Sequence, residues 1–172
     1  STKPPAKFST TNCALAFPEA IQINSHTIRI PFRWLGRLPV VQAGVDSING
    51  NFIFDTGAER LLLNQQYYSG GKRIYDKDQY GVTGKRKEVR SRKVDSLIWE
   101  NLLITDLNAH ILDLSHIEEK RNTKVVGILG YEVFKDYEIL LDFPFKQIVL
   151  TKLDDRGNRL DPEAFKDIPF DT

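Results

Sequence analysis

The dipeptide Asn49-Gly50 stands between two apolar runs, Val40-Val41 with Val45 before it and Phe52-Ile53-Phe54 after it. Asn and Gly both tolerate positive φ, which a two-residue turn needs if its twist is to match that of antiparallel strands. The chain is therefore expected to run out over 39–48, turn at Asn49-Gly50 and return at once over 51–54. The returning strand leads without a break into Asp55-Thr56-Gly57-Ala58, and Leu61-Leu62-Leu63 opens a further strand just beyond it.

Other segments have the same grain. Ile21, Ile23, Ile28 and Ile30 fall mainly at every second position, the period of a half-buried strand over 20–32, with Pro31 limiting its length. A polar stretch containing Gly70-Gly71 precedes Tyr80-Gly81-Val82-Thr83-Gly84, which reads as a glycine-bearing hairpin tip. Segments 94–98 and 102–104 read as a hairpin around Glu100-Asn101, and 109–112 as a short strand. Ser115 with Glu118 three residues on has the capping-box pattern of a helix about one turn long. A second short helix is expected over 131–137, then strands over 139–143 and 147–153. Many short strands, frequent turns and one or two short helices describe a mostly β domain, closed or sandwich-like.

Composition narrows the function classes. A chain of 172 residues fits one domain. Residues 1–19 are expected to form a tail or linker without fixed structure, 20–153 the domain, and 154–172 an extension that packs on the domain or on a dimer interface through Ile168-Pro169-Phe170. An apolar fraction of 41% and a net charge of +1 suit an ordinary folded protein rather than a nucleic-acid binder driven by bulk charge. No apolar run approaches the roughly 20 residues of a membrane-spanning helix. The single cysteine, Cys13, excludes an internal disulfide. His26, His110 and His116 are scattered without metal-ligand spacing, so no metal and no cofactor is expected. There is no Gly-x-Ser-x-Gly elbow to carry a serine nucleophile. The chain contains no Met, so its start residue is expected to have been removed.

Asp, Thr and Gly are all turn formers, and Asp55-Thr56-Gly57 read alone could simply end a strand. The context is sharper: a buried type of strand delivers a carboxylate between two core elements, where desolvation makes acid/base chemistry a natural use for it.

Phe52-Ile53-Phe54-Asp55-Thr56-Gly57-Ala58 resembles the active-site segment of the retropepsin family: three apolar residues, Asp, Thr or Ser, Gly, then Ala or Ser. Val125-Val126-Gly127-Ile128-Leu129-Gly130 resembles the apolar-Ile-Leu-Gly segment that packs beside the catalytic loop in that family. The short helix after it, Leu141-Asp142-Phe143 and the upstream Ile30-Pro31-Phe32 extend the resemblance over residues 28–150. Glu59 and Val126 depart from the residue types frequent there.

The resemblance implies a closed β-barrel of the acid-protease type, one lobe per chain, and an aspartic endopeptidase in which Asp55 is catalytic. The chain holds one Asp-Thr/Ser-Gly motif, so the second carboxylate would come from a second copy in a homodimer, the two sharing a proton. Thr56 would bond across the dimer, Gly57 and Ala58 would support the loop, and Ile128, Leu129 and Gly130 would pack against it. Tyr80, Gly81, Val82, Thr83 and Gly84 would form the flap over a peptide or protein substrate. Lys85, Arg86, Lys87, Arg90, Arg92 and Lys93 make that region basic, which reads as a solvated charged hairpin or as a preference for acidic substrates. The alternative is a module of the same fold that binds peptide or a partner without turnover. Resemblance to bacterial domains that follow a signal peptide makes export to the periplasm or beyond the expected location.

Overall fold

The computed structural model of the chain describes residues 15–80 and 86–160. Its elements run β1 (Ile21–Asn24), β2 (Thr27–Pro31), β3 (Arg33–Leu35), β4 (Leu38–Val45), β5 (Ile48–Phe54), β6 (Leu62–Asn64), β7 (Lys72–Tyr80), β8 (Arg86–Val94), β9 (Leu97–Trp99), β10 (Leu102–Ile104) and β11 (Leu107–Leu112). Then come α1 (Ser115–Arg121), β12 (Gly127–Leu129), α2 (Tyr131–Phe134), β13 (Tyr137–Asp142) and β14 (Gln147–Lys152). The fold is mostly β with two short helices, as the frequency of turn signals implies. No described helix is long and apolar enough to cross a membrane.

One sheet has the order β1-β2-β14-β13; the other runs β10-β9-β4-β5-β12-β6-β11-β8-β7, with β3 paired to β4. Five strands stand between β9 and β8, so in a flat sheet those two would lie roughly 29 Å apart at about 4.8 Å per strand. Only Asp95-Ser96 joins them, a link that spans roughly 10 Å. The larger sheet must therefore curl back on itself. No ladder joins β8 to β9 or β10 to β7 among the described residues, so these residues show a curled sheet and do not show the closed barrel that the resemblance implied.

The hairpin expected after Val45 forms, but its turn is Asp46-Ser47 and not Asn49-Gly50. Val45 pairs with Ile48, and the two residues between have φ of 47° and 71°. Asp46 holds this turn because its Oδ1 accepts hydrogen bonds from Asp95 N at 2.9 Å and Ser96 N at 3.1 Å. Gly50 lies inside β5, where an added Cβ would stand 2.5 Å from Val126 Cγ2. Likewise the single strand expected over 20–32 is a hairpin, β1 and β2 turning at Ser25-His26, where Asn24 Oδ1 accepts from His26 N at 2.8 Å.

The capping box at Ser115 is absent. Ser115 is the first helical residue, its N bonding Asp113 Oδ1 at 3.0 Å. Glu118 turns outward from the helix start, and its Oε1 accepts from Tyr67 OH at 2.6 Å and Val125 N at 2.8 Å. The helix reaches seven residues and ends at Asn122 in the left-handed conformation.

Phe52, Phe54, Leu61, Leu63, Trp99, Leu129 and Phe134 belong to the main core. Leu35, Val40, Ile53, Leu114 and Val125 form a second cluster on the far side of β5. Alternate side chains of a strand point to opposite faces, so β5 is buried on both. Beyond β14, Leu153 bridges to Arg159, whose guanidinium takes both oxygens of Glu138 at 2.8 and 2.6 Å. That part of the extension folds back onto its own β13.

Candidate active site

Asp55 is placed by the strand before it. Phe54 is 3% exposed, its ring packed 4.8 Å from Phe134 and 5.8 Å from Trp99 between centroids. With Phe54 locked, the next residue has little freedom in where it leaves the sheet. The chain turns there, Asp55 Oδ1 accepting from Gly57 N at 2.8 Å and Asp55 O from Ala58 N at 3.3 Å.

The loop is then pinned from behind. The strands that flank it, β5 and β6, do not pair with each other; β12 lies between them, parallel to β5 and antiparallel to β6. Leu129 O accepts from Asp55 N at 3.1 Å, and the start of α2 continues the attachment: Tyr131 N donates to Ala58 O at 2.7 Å and Glu132 N to Glu59 O at 2.9 Å. Gly130 has to be glycine, because a Cβ would sit 2.7 Å from Ala58 O and closer still to Arg60 O. The two segments that resemble the retropepsin motifs, 52–58 and 125–130, are thus brought into direct backbone contact.

Within this frame Asp55, Thr56 and Gly57 are exposed, Ala58 and Ile128 are half-buried, and Leu129 and Gly130 are buried. Asp55 is therefore not desolvated within one chain, contrary to the expectation of a carboxylate between core strands. Its strand ends at Phe54 and the loop emerges into solvent. Gly57 here relieves its own turn, since a Cβ would approach Asp55 Oδ1 to 3.2 Å.

Glu132 had no signal in the sequence beyond its place in a short helix. Its Oε2 is buried behind the loop without a hydrogen-bond partner, while its backbone holds Glu59. Asp142 caps the β13–β14 turn, Oδ1 accepting from Phe145 N at 3.1 Å and Oδ2 from Gln147 Nε2 at 2.9 Å. Among the described residues no group of three His, Cys, Asp or Glu is placed to hold a metal ion. His110 is buried.

The expected flap falls on the β7–β8 hairpin. Tyr80 ends β7 opposite Arg86 of β8; Gly81, Val82, Thr83 and Gly84 lie outside the described residues, as does Cys13. In the strand order β12, β6 and β11 separate this hairpin from β5.

No protein-family model matches the chain, and no curated protein matches it. Among solved structures, it is similar to the crystal structure of a retropepsin-like aspartic protease from Rickettsia conorii, with a TM-score of 0.51. The match covers 78% of this chain and 93% of that one at 14% identity. Identity that low supports a shared fold and no more.

Proposed function

We propose that this chain is one protomer of an aspartic endopeptidase that works as a homodimer. The observation that carries the reading is the placement of Asp55: a solvent-facing carboxylate at the exit of a doubly buried strand, on a loop stitched to β12 and α2. One chain supplies one such loop, so a second copy would bring the second Asp55.

Two carboxylates close together do not both ionise readily, and they would share one proton. The ionised one takes a proton from water as the water oxygen bonds to the peptide carbon; the protonated one gives its proton to the carbonyl oxygen. The resulting tetrahedral diol collapses as the carboxyl that took the water proton gives it to the nitrogen, the C–N bond breaks and one diol hydroxyl returns its proton to the other carboxylate, releasing an acid and an amine. Thr56 and Gly57, exposed beside Asp55, are assigned to the contact between protomers. The β7–β8 hairpin is assigned to cover bound peptide.

The test is cleavage of a mixed peptide library between about pH 4 and 7, with sedimentation of the same samples and Asp55→Asn as the control. Activity that rises with the dimer fraction and vanishes in Asp55→Asn supports the reading. A folded, concentrated monomer without cleavage would sink it and leave a peptide-binding module of this fold.

A further inference from the structure

One ion pair ties the hairpin that ends in Asp55 to the β7–β8 hairpin. Asp46, on the β4–β5 turn, receives Arg92 of β8, Nη2 to Oδ2 at 2.7 Å, with the two side chains 13% and 27% exposed. A second Arg92 nitrogen, Nη1, donates to Ser69 O at 3.2 Å, just ahead of β7, and the guanidinium lies 5.6 Å from the centroid of the Tyr68 ring. Tyr68 OH donates to Val45 O at 3.0 Å, back on the same turn. Asp46 Oδ1 meanwhile caps Asp95 N and Ser96 N, the link by which the curled sheet returns from β8 to β9.

The geometry sets this pair apart from an ordinary surface contact. Lys93 and Asp106 approach to 3.2 Å with side chains 69% and 84% exposed, a setting in which ion pairs contribute little. Asp46–Arg92 is mostly withdrawn from water, is a charge-assisted hydrogen bond, and shares Arg92 between an acceptor ahead of β7 and one on the β4–β5 turn. β8 and β4 share no ladder; the backbone ties at this junction are Asp46 N to Ser96 O at 3.0 Å and the β4–β9 ladder, which hold the end of β8, and the Asp46–Arg92 pair reaches past them to Ser69, ahead of β7.

We propose that Asp46 and Arg92 are positioning residues for substrate binding, holding the β7–β8 hairpin in register with the hairpin that carries Asp55. The effect on turnover rests on the peptidase reading; the mechanical coupling does not. Bound peptide would meet a hairpin already placed, so losing the pair weakens substrate binding and leaves the chemistry at Asp55 in place.

Asp46→Asn is the informative variant. Asn keeps an oxygen for Asp95 N and Ser96 N and tolerates the positive φ of this position, while the charge facing Arg92 is lost. Arg92→Met removes the pair from the other side. In hydrogen exchange, each variant is expected to speed exchange of the β7 and β8 amides about tenfold and to leave β5 and β12 unchanged. In peptide cleavage each raises KM about fivefold with kcat within about twofold of the parent. The double variant is no worse than either single one, as for residues acting as a unit. Unchanged exchange in β7 and β8, exchange rising equally in β5 and β12, or additive effects in the double variant would each overturn the proposal. Absence of turnover in the parent chain would sink the peptidase reading instead, and the exchange result would still decide the coupling.

Discussion

Gly130 and Ala58 meet through their backbones: the Gly130 Cα is so placed that a methyl group on it would stand 2.7 Å from the Ala58 carbonyl oxygen. That oxygen is already the acceptor for Tyr131 N, so it cannot retreat without breaking the bond that holds the loop. Gly130→Ala is therefore expected to destabilise the domain by about 3 kcal/mol. Urea unfolding with an unchanged m-value measures this; a loss under about 0.5 kcal/mol would mean that the loop is not pinned here.

Asp55→Asn separates chemistry from structure. The amide oxygen can still accept from Gly57 N, and the residue is exposed, so the unfolding midpoint should stay within about 0.5 kcal/mol of the parent in free energy. Cleavage should fall by about a thousandfold or more, since an amide can neither share the proton nor act as base. A variant that loses activity together with stability would point to a structural role for this carboxylate.

Alkaline titration probes the tyrosines. Burial and then the nearby Asp46 charge push the Tyr68 phenol above its ordinary value, Arg92 opposing them. Burial with the bond to Glu118 raises Tyr67, and burial raises Tyr137. A pKa raised in the folded state means that the unfolded chain releases its proton first. Stability is then fully present below about pH 10 and falls as pH rises toward the folded values. Tyr68→Phe should make that fall shallower in denaturant midpoints taken between about pH 9 and 12. An unchanged slope would contradict it.

Thr27 and Thr151 share one buried hydrogen bond, 3.2 Å between hydroxyl oxygens. Replacing either by Val strands the other hydroxyl and should lower stability by about 1–2 kcal/mol, whereas the double replacement should be less harmful than the sum. The double-mutant cycle reads the difference directly.

Residues 52–58 and 125–134 could be read from the chain because their signals are local: apolar runs, a turn, a short helix. Even the contact between the two segments was implied by their resemblance to paired motifs. What could not be read depended on distant partners. Asp46 adopts positive φ with Asp95, Ser96 and Arg92 around it, some fifty residues away, so Asn49-Gly50, the better turn former in isolation, is overruled. Glu118 looked like a capping residue and is instead taken by Tyr67 and Val125. The exposure of Asp55 follows from where Phe54 is anchored, by Trp99 and Phe134, which no local pattern contains.

The four-stranded sheet has a consequence for the newly made chain. Its order places β14 between β2 and β13, so β2 lacks one of its two neighbours until β14 has been synthesised. Before then β1 and β2 form only a two-stranded hairpin, marginal in water, with Ile28 and Ile30 unable to reach their final burial. Pairing across 124 residues, as between Thr27 and Thr151, is slow to find. Nascent chains stalled ahead of residue 147 should be held by chaperones or digested, and emergence of β14, rather than emergence of the Asp55 loop, should mark the onset of protease resistance.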